Sequence, residues 1–225
     1  MATVAKTRLG SRRRPEQTRD AILQAAIQEF ARYGIAGART DAIARAARVN
    51  KALLYYYFKD KQTLYGAAMD HAFRQLSTHM MAVLERDLPP GEKVRVYVGE
   101  YFDFIAHHPL NRDLVQREMM RAGHSSAHLQ RIAKRYFQPL FKKLSEVIHA
   151  GTASGEFRPV DPVQLVPSMV ALVVFYFTSA PLMKTVTGLD PLSPERIAAR
   201  RVAVLDFVTA ALFRNANGSP QGERR

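Results

Sequence analysis

From Ala38 to Tyr65 the chain reads ARTDAIARAARVNKALLYYYFKDKQTLY, with helix caps so closely spaced that few folds accommodate it. Thr40 suits the N-cap of a short helix in which Ile43, Ala44 and Ala47 face inward. Asn50 suits the N-cap of a second helix, Lys51 to Tyr57, and Asp60 that of a third beginning at Lys61. Ala44 and Ala47 are small enough for two helices to approach closely, and Val49 plugs the turn between them. Leu54 and Phe58, four residues apart, bury the second helix against Ile43 and the helix before it. This is the pattern of a helix-turn-helix.

What remains around the Lys51–Tyr57 helix is Lys51, Ala52, Leu53, Tyr55, Tyr56 and Tyr57. Three consecutive tyrosines on so short a helix cannot all be buried. With its N-terminus in a major groove, the helix lets Lys51 reach guanine O6/N7 and Ala52 or Leu53 touch a thymine methyl. Tyr55 and Tyr57 are rigid and amphipathic, suited to hydrogen-bonding phosphates on the groove walls. Thr40 and Lys61 stand at helix N-termini, where backbone N–H groups favour phosphate, and Arg39, Arg45 and Arg48 add flanking charge.

The charge balance agrees. The formal net charge is +13, and residues 1–61 hold 13 Lys/Arg against 5 Asp/Glu, so more than half of the excess lies in about a quarter of the chain. An attraction for polyanions centred on the N-terminal part follows. With no cysteine among 225 residues, disulfides, thiolate-bound zinc and iron–sulfur clusters are excluded, which suits a reducing cytoplasm. Residues 1–14 read as a flexible basic arm, not as a secretory signal, because they have no apolar segment. The longest apolar run, Val163 to Met183, is broken by Gln164, Pro167, Ser168 and Pro181, and reads as a buried or interfacial helix in place of a membrane span.

No run alternates strictly, so the expected fold class is all-α, with about nine helices. The first starts at Pro15, carries the stripe Ile22, Leu23, Ala26, Ile27, Phe30, and ends at Gly34. The helix from Lys61 runs to about Asp87. Beyond Pro89–Gly91 come Glu92–Ala106, Leu110 to about Met120, a long helix after Gly123–Ser126 through Ala150 kinked at Pro139, a loop Gly151–Pro162, and the helices Pro162–Met183 and Pro194–Phe213. Residues 215–225 form a polar, disordered tail. The expected division is arm 1–14, helix-turn-helix domain 15–61, a helical effector-binding and dimerisation domain 62–214, and the tail.

Pro162–Met183 is apolar nearly all round, and Ile197, Val204, Leu205, Val208 and Leu212 stripe the last helix. Such helices need two burials, one against their own domain and one against a second copy, which predicts a homodimer through residues 162–183 and 194–213. A two-fold pair of recognition helices demands an inverted-repeat site. Candidate lining for an apolar effector cavity is Phe102, Ile105, Met119, Met120, Tyr136, Phe175 and Tyr176, with Leu140, Leu172 and Phe177 behind them and Arg117 and Glu118 as polar candidates. His107 and His108 are adjacent and point apart. His124 and His128 share a face only if His124 is helical, and Ser125 looks more like the cap, so no metal site is expected. Neither a Gly-rich phosphate loop nor a nucleophile elbow is present, so no cofactor and no catalytic residue are expected.

The string AIARAARVNKALLYYYFKDKQTLY resembles the N-terminal domain of the TetR family of bacterial transcription regulators. The matching marks are Thr40, Ile43 and Ala44 at the helix start, Ala47 and Val49 in the turn, the run Leu54 to Phe58, the continuation Phe58, Lys61, Leu64, and the preceding Ala26, Phe30, Gly34. The resemblance implies an all-α homodimer whose first three helices read DNA and whose remaining helices form a ligand and dimer domain. It implies DNA contacts from Thr40, Lys51, Ala52, Leu53, Tyr55, Tyr57 and Lys61, to which Arg45 and Tyr56 are added from their place on the same face. The expected function is a ligand-responsive repressor of a palindromic operator, released by a small molecule and located in the cytoplasm with the nucleoid. The alternative is an architectural or protein-interaction DNA-binding protein of the same fold with no inducer. Two departures stand out: Arg48 replaces the family's usual glycine before the turn valine, and Ala52-Leu53 replaces a common Gly-Thr. The first predicts a slightly altered turn.

Overall fold

The computed structural model describes residues 14–121 and 127–214. The expected arm before Arg14, the expected tail, His124 and Ser125 lie outside the described residues, as do the side chains of Arg117, Glu118, Met119, Met120 and His128. The chain divides into two compact units, Met1–His71 and Ala72–Arg225.

In the first unit α1 (Pro15–Gly37) opens with proline in its first turn and Glu16 beside it. Its stripe Ile22, Leu23, Ala26, Ile27 and Phe30 is buried to within 3% exposure. Gly34 (φ 65°, ψ 177°) breaks the helical backbone where the sequence places the end, although a last turn continues to Gly37. The left-handed φ is free of steric cost only for glycine. Then follow α2 (Thr40–Ala46), α3 (Lys51–Tyr57) and the first turns of α4 (Lys61–Leu84). Asn50 and Asp60 cap as expected: Leu53 N–H donates to Asn50 Oδ1 (2.7 Å) and Thr63 N–H to Asp60 Oδ1 (2.6 Å). Thr40 does not. Arg39 holds the cap position and Thr40 is the first helical residue. Its hydroxyl is instead 3.2 Å from the Tyr55 hydroxyl. Ile43, Leu54, Phe58 and Leu64 close the small core, and the Phe30 and Tyr65 rings meet edge to face at 5.0 Å.

The turn between α2 and α3 keeps its left-handed residue although no glycine is present: Arg48 has φ 57°. Val49 N–H donates to Ala44 O (2.9 Å) and Arg48 N–H to Arg45 O (3.0 Å). These are the two bonds of a Schellman cap, with Arg48 at the position glycine usually takes. The turn is thus a regular Schellman turn with a residue other than glycine in the left-handed region, and the strain falls on the arginine.

In the second unit α5 (Pro90–His107) packs against α6 (Pro109–Arg121), α8 (Gln138–Ala153), α9 (Pro162–Thr178) and α11 (Pro194–Leu212). The core runs from Met80 and Leu84 through Val98, Phe102, Leu144, Ile148 and Val173 to Val204 and Leu212. Two expected helices are each divided, which turns nine expected segments into α1–α11. The long one after residue 126 is α7 (Ala127–Ile132), a π-helical turn (Ala133–Phe137) and α8. Pro139 has no N–H to offer the Arg135 carbonyl, and the chain widens just before it. Gly151 is inside α8, one turn beyond the expected end, because the Phe157 ring occupies the place of its missing side chain. The expected Pro162–Met183 helix is α9 and α10 (Ala180–Thr187), bent by 65° at Ser179. Pro181 cannot donate to the Phe177 carbonyl, and Ser179 Oγ donates to Phe175 O at 2.7 Å in the break. Among the described residues no single helix is long and apolar enough to cross a membrane.

Candidate nucleic-acid interface and effector cavities

α3 buries Leu54 completely and Phe58 to 2% exposure, and this fixes which face it turns out. On that face Tyr56 is 80% exposed and Tyr55 38%, while Tyr57 is half-buried with its ring 5.3 Å from that of Tyr56. Lys51 and Ala52 are exposed and Leu53 is half-buried, so the helix presents its N-terminal end and its tyrosines together. Asn50 holds this end by its side-chain cap and leaves fewer N–H groups unpaired there.

Several expected phosphate or base contacts already have partners within the chain. Lys51 Nζ lies 2.9 Å from Asp41 Oδ1. The hydrogen bond to Lys51, reinforced by its charge, holds the Asp41 carboxyl below the usual carboxylate range, and the same bond raises Lys51. Tyr55 and Thr40 share a hydrogen bond, and Lys61 Nζ donates to Ala36 O at 3.2 Å, tying the start of α4 to the end of α1. Arg39, Arg45 and Arg48 are exposed on the same unit. Asp41 is the residue that sequence reasoning missed; it lies ten positions from Lys51, and only the helix-turn-helix crossing brings the two together.

In the second unit the expected cavity residues fall into two groups. Phe102 (1% exposed), Ile105 (7%) and Tyr136 (6%) are core, with Phe102 packed on Phe177 at 5.3 Å between ring centres. Phe175 and Tyr176 instead line a cleft of about 540 Å³ between α9, α10 and α11, together with Met183, Leu189, Pro191, Arg196 and Arg200. Beside the core group are two tyrosines that sequence reasoning did not single out. Burial pushes the Tyr97 hydroxyl up to about 12 and that of Tyr101 higher still, yet both side chains keep accessible surface. Both pack against the core of the second unit. Their spacing on α5 (i, i+4) was the available signal.

Each of the adjacent histidines bonds the backbone carbonyl four residues back: His107 Nδ1 is 2.7 Å from Asp103 O, and His108 Nδ1 2.8 Å from Phe104 O. Both close the C-terminal turn of α5. Among the described residues no three His, Asp or Glu side chains gather as metal ligands would.

The sequence matches two family descriptions, "Bacterial regulatory proteins, tetR family" over residues 22–68 and "Tetracyclin repressor-like, C-terminal domain" over residues 90–208. The HTH-type transcriptional regulator RutR of Escherichia coli is 30% identical over 75% of this chain and 77% of its own length. The HTH-type transcriptional repressor SCO4008 of Streptomyces coelicolor is 29% identical over 84% of this chain and 97% of its own. The fold is also that of AibR, solved in complex with isovaleryl coenzyme A and operator DNA, with a TM-score of 0.69, 18% identity, and coverage of 84% of this chain and 97% of that one. The chain therefore belongs to the tetR family of bacterial regulatory proteins and is a DNA-binding transcription regulator.

Proposed function

We propose that this regulator is a homodimeric repressor that binds a palindromic operator and leaves it when a small molecule binds the second unit. The observation that carries the reading is α3: a short helix anchored by Leu54, held at its start by Asn50, and turning Lys51, Ala52, Tyr55 and Tyr56 outward with Leu53 and Tyr57 half-buried beside them. Thr40, Arg45 and Lys61 flank it as phosphate contacts. The domain division proposed is a reader over 15–61 and an effector and dimer domain over 62–214. α4 runs unbroken from Lys61 to Leu84, so it is the covalent route by which a ligand in the second unit acts on the reader. Release by 100-fold needs about 2.7 kcal/mol of coupling, within the ordinary range for allostery.

Supporting the dimer, the expected segments expose apolar side chains that a monomer has no reason to keep in water: Val163 (58%), Phe175 (67%), Val202 (56%) and Phe207 (59%). A face of this kind wants a second copy. Supporting repression and ligand response, SCO4008 is named a repressor, and AibR was solved with a coenzyme A thioester and operator DNA. The cytoplasm, with the nucleoid, is the proposed location.

The test is selection of bound fragments from genomic DNA, followed by salt titration on the winning duplex. An inverted repeat with half-sites one helical turn apart, and affinity falling steeply with salt, is the expected result. Lys51→Ala then relaxes preference at one base pair, at about 1–3 kcal/mol. Binding without sequence preference refutes the operator reading and supports a coating role.

A further inference from the structure

Asp41 sets an anion beside the helix that reads a polyanion, and no turn or cap of the first unit depends on it. Of the five carboxylates in residues 1–61, Glu29 accepts from Arg39 N–H at 3.0 Å and Asp60 from Thr63 N–H at 2.6 Å, so each holds a helix junction. Asp41 accepts from no backbone N–H among the described residues; its partner is Lys51 Nζ, 2.9 Å from Oδ1. Lys51 and Asp41 are half exposed (53% and 51%), and an ion pair so open to water adds little to stability. The helix dipole favours an acid anywhere in the first turn of α2 and so does not explain the pairing. The place of Asp41 is nevertheless fixed. Thr40, just before it, is tied by its hydroxyl to that of Tyr55 at 3.2 Å, and Tyr55 lies one turn after Lys51 on α3. Two side-chain links, Thr40–Tyr55 and Asp41–Lys51, thus set the first turn of α2 along the outward face of α3. That face presents an ordered couple: a donor on α3 and, 2.9 Å away, an acceptor on α2.

A base pair carries the complementary couple on its major-groove edge. In a G·C pair guanine O6 accepts and the cytosine N4 amino group donates, and because they hydrogen-bond to each other they lie about 2.9 Å apart. We propose that Asp41 is a specificity-determining residue: with Lys51 it reads both strands of one G·C pair, Lys51 donating to guanine O6 and Asp41 accepting from cytosine N4–H. This rests on the operator-binding reading above and extends it to a residue of α2. The order of the couple carries the discrimination. With the base on the Lys51 side written first, the central groups of C·G and A·T are a donor facing Lys51 and an acceptor facing Asp41, so both partners are opposed. T·A keeps the order through thymine O4 and adenine N6–H, but sets a methyl group where guanine offers N7 as a second acceptor. The expected ranking is G·C first, T·A second, and A·T and C·G last. Lys51 alone would not produce it, because a lone lysine finds an N7 acceptor on a purine of either strand. Away from base edges the carboxylate also offsets the attraction of Lys51 for phosphate, which lowers binding to unmatched DNA.

The experiment uses the full chain and the operator recovered by fragment selection, with Lys51→Ala marking the base pair that Lys51 reads. That pair is changed to each of the four, and affinities of the parent and of Asp41→Ala are measured by fluorescence anisotropy at fixed salt. The parent should follow the ranking above. In Asp41→Ala the two reversed pairs should gain about tenfold on G·C, while the preference for G·C over T·A persists. A further duplex carries 2-pyrimidinone, which lacks the 4-amino group, opposite the guanine. It should cost the parent about tenfold more than it costs Asp41→Ala, a comparison in which any weakening of the duplex itself cancels. The proposal is overturned if Asp41→Ala tightens all four duplexes by one common factor, since Asp41 then only repels phosphate. It is overturned equally if the modified duplex costs both proteins the same, or if the selected operator has no G·C at the marked position. Each of these outcomes leaves the operator reading standing, whereas a parent without any sequence preference refutes that reading and this proposal together.

Discussion

Arg48 offers a clean separation of backbone strain from DNA affinity. It sits at φ 57° in the turn between α2 and α3, and its exposed side chain makes no hydrogen bond or ion pair among the described residues. The left-handed conformation costs a residue with a Cβ about 1–2 kcal/mol. Glycine removes that cost but brings about 0.5–1 kcal/mol of extra freedom in the unfolded chain. The net expectation for Arg48→Gly is stabilisation by roughly 0.5–1 kcal/mol. In a chain of this size that raises the melting temperature by about 2–4 °C per kcal/mol. Arg48→Ala is the control: it removes the same charge and keeps the strain, so it should stay within about 0.5 kcal/mol of the parent. The assay is urea unfolding followed by far-ultraviolet circular dichroism at one fixed protein concentration, since a dimer's stability depends on concentration. On DNA the two variants should behave alike, each lowering the salt slope by about one unit if Arg48 touches phosphate. If Arg48→Gly proves no more stable than Arg48→Ala, the assignment of strain to this turn is wrong.

Asn50→Ala should destabilise by about 0.5–2 kcal/mol through loss of the cap on Leu53, and should weaken operator and random DNA together because α3 frays; thermal melts and gel shifts read the two effects. Gly151→Ala should cost about 1–3 kcal/mol or more, since the Phe157 ring must move, and urea unfolding of the second unit reports it. Asp41→Asn should tighten binding to random duplex by freeing Lys51 and removing an anion from the reading face, measured as a steeper salt dependence of affinity. The same pair gives a pH signature with a defined sign. Asp41 is depressed when folded, so its contribution is present above its ordinary value of 3.8 and is lost as pH falls through the folded value. Lys51 is raised, so its contribution is present below 10.5 and is lost only as pH climbs beyond that. The stability difference between parent and Asp41→Asn should therefore be flat from about pH 5 to 9 and vanish in stronger acid; a change near neutrality would contradict the pairing.

The reading unit was largely legible in the sequence because its decisions are local. A capped seven-residue helix with Leu54 and Phe58 four apart has only one face to bury, and Asn50 and Asp60 announce the starts. Thr40 misled because a hydroxyl at a helix start is usually a cap, whereas a tyrosine fifteen residues away takes this one. Arg48 was legible as a departure but not as a strained residue: two backbone bonds hold the turn, and these overrule the residue's own preference. In the second unit Pro139 and Pro181 were visible as disruptions, but the sequence does not say whether a proline kinks, widens or ends a helix. That depends on what receives the carbonyl it leaves unpaired. The cavity residues were the least legible. Aromatic residues at helical spacing look alike whether they fill a core, as Phe102 does, or border a cleft, as Phe175 does.

Phe213, one residue past α11, forms an isolated antiparallel bridge with Phe157, and the guanidinium of Arg95 lies 4.0 Å from its ring centre. Glu156 caps the start of α5 by accepting from Gly91 N–H at 2.8 Å, and its own carbonyl takes the Arg214 N–H at 3.1 Å. Entry to residues 90–213 and exit from them are thus fastened to the same clasp. A module whose doorways adjoin can be re-threaded: joining its ends with a short linker and opening it at an exposed turn such as Gly188 should yield a circular permutant that still folds.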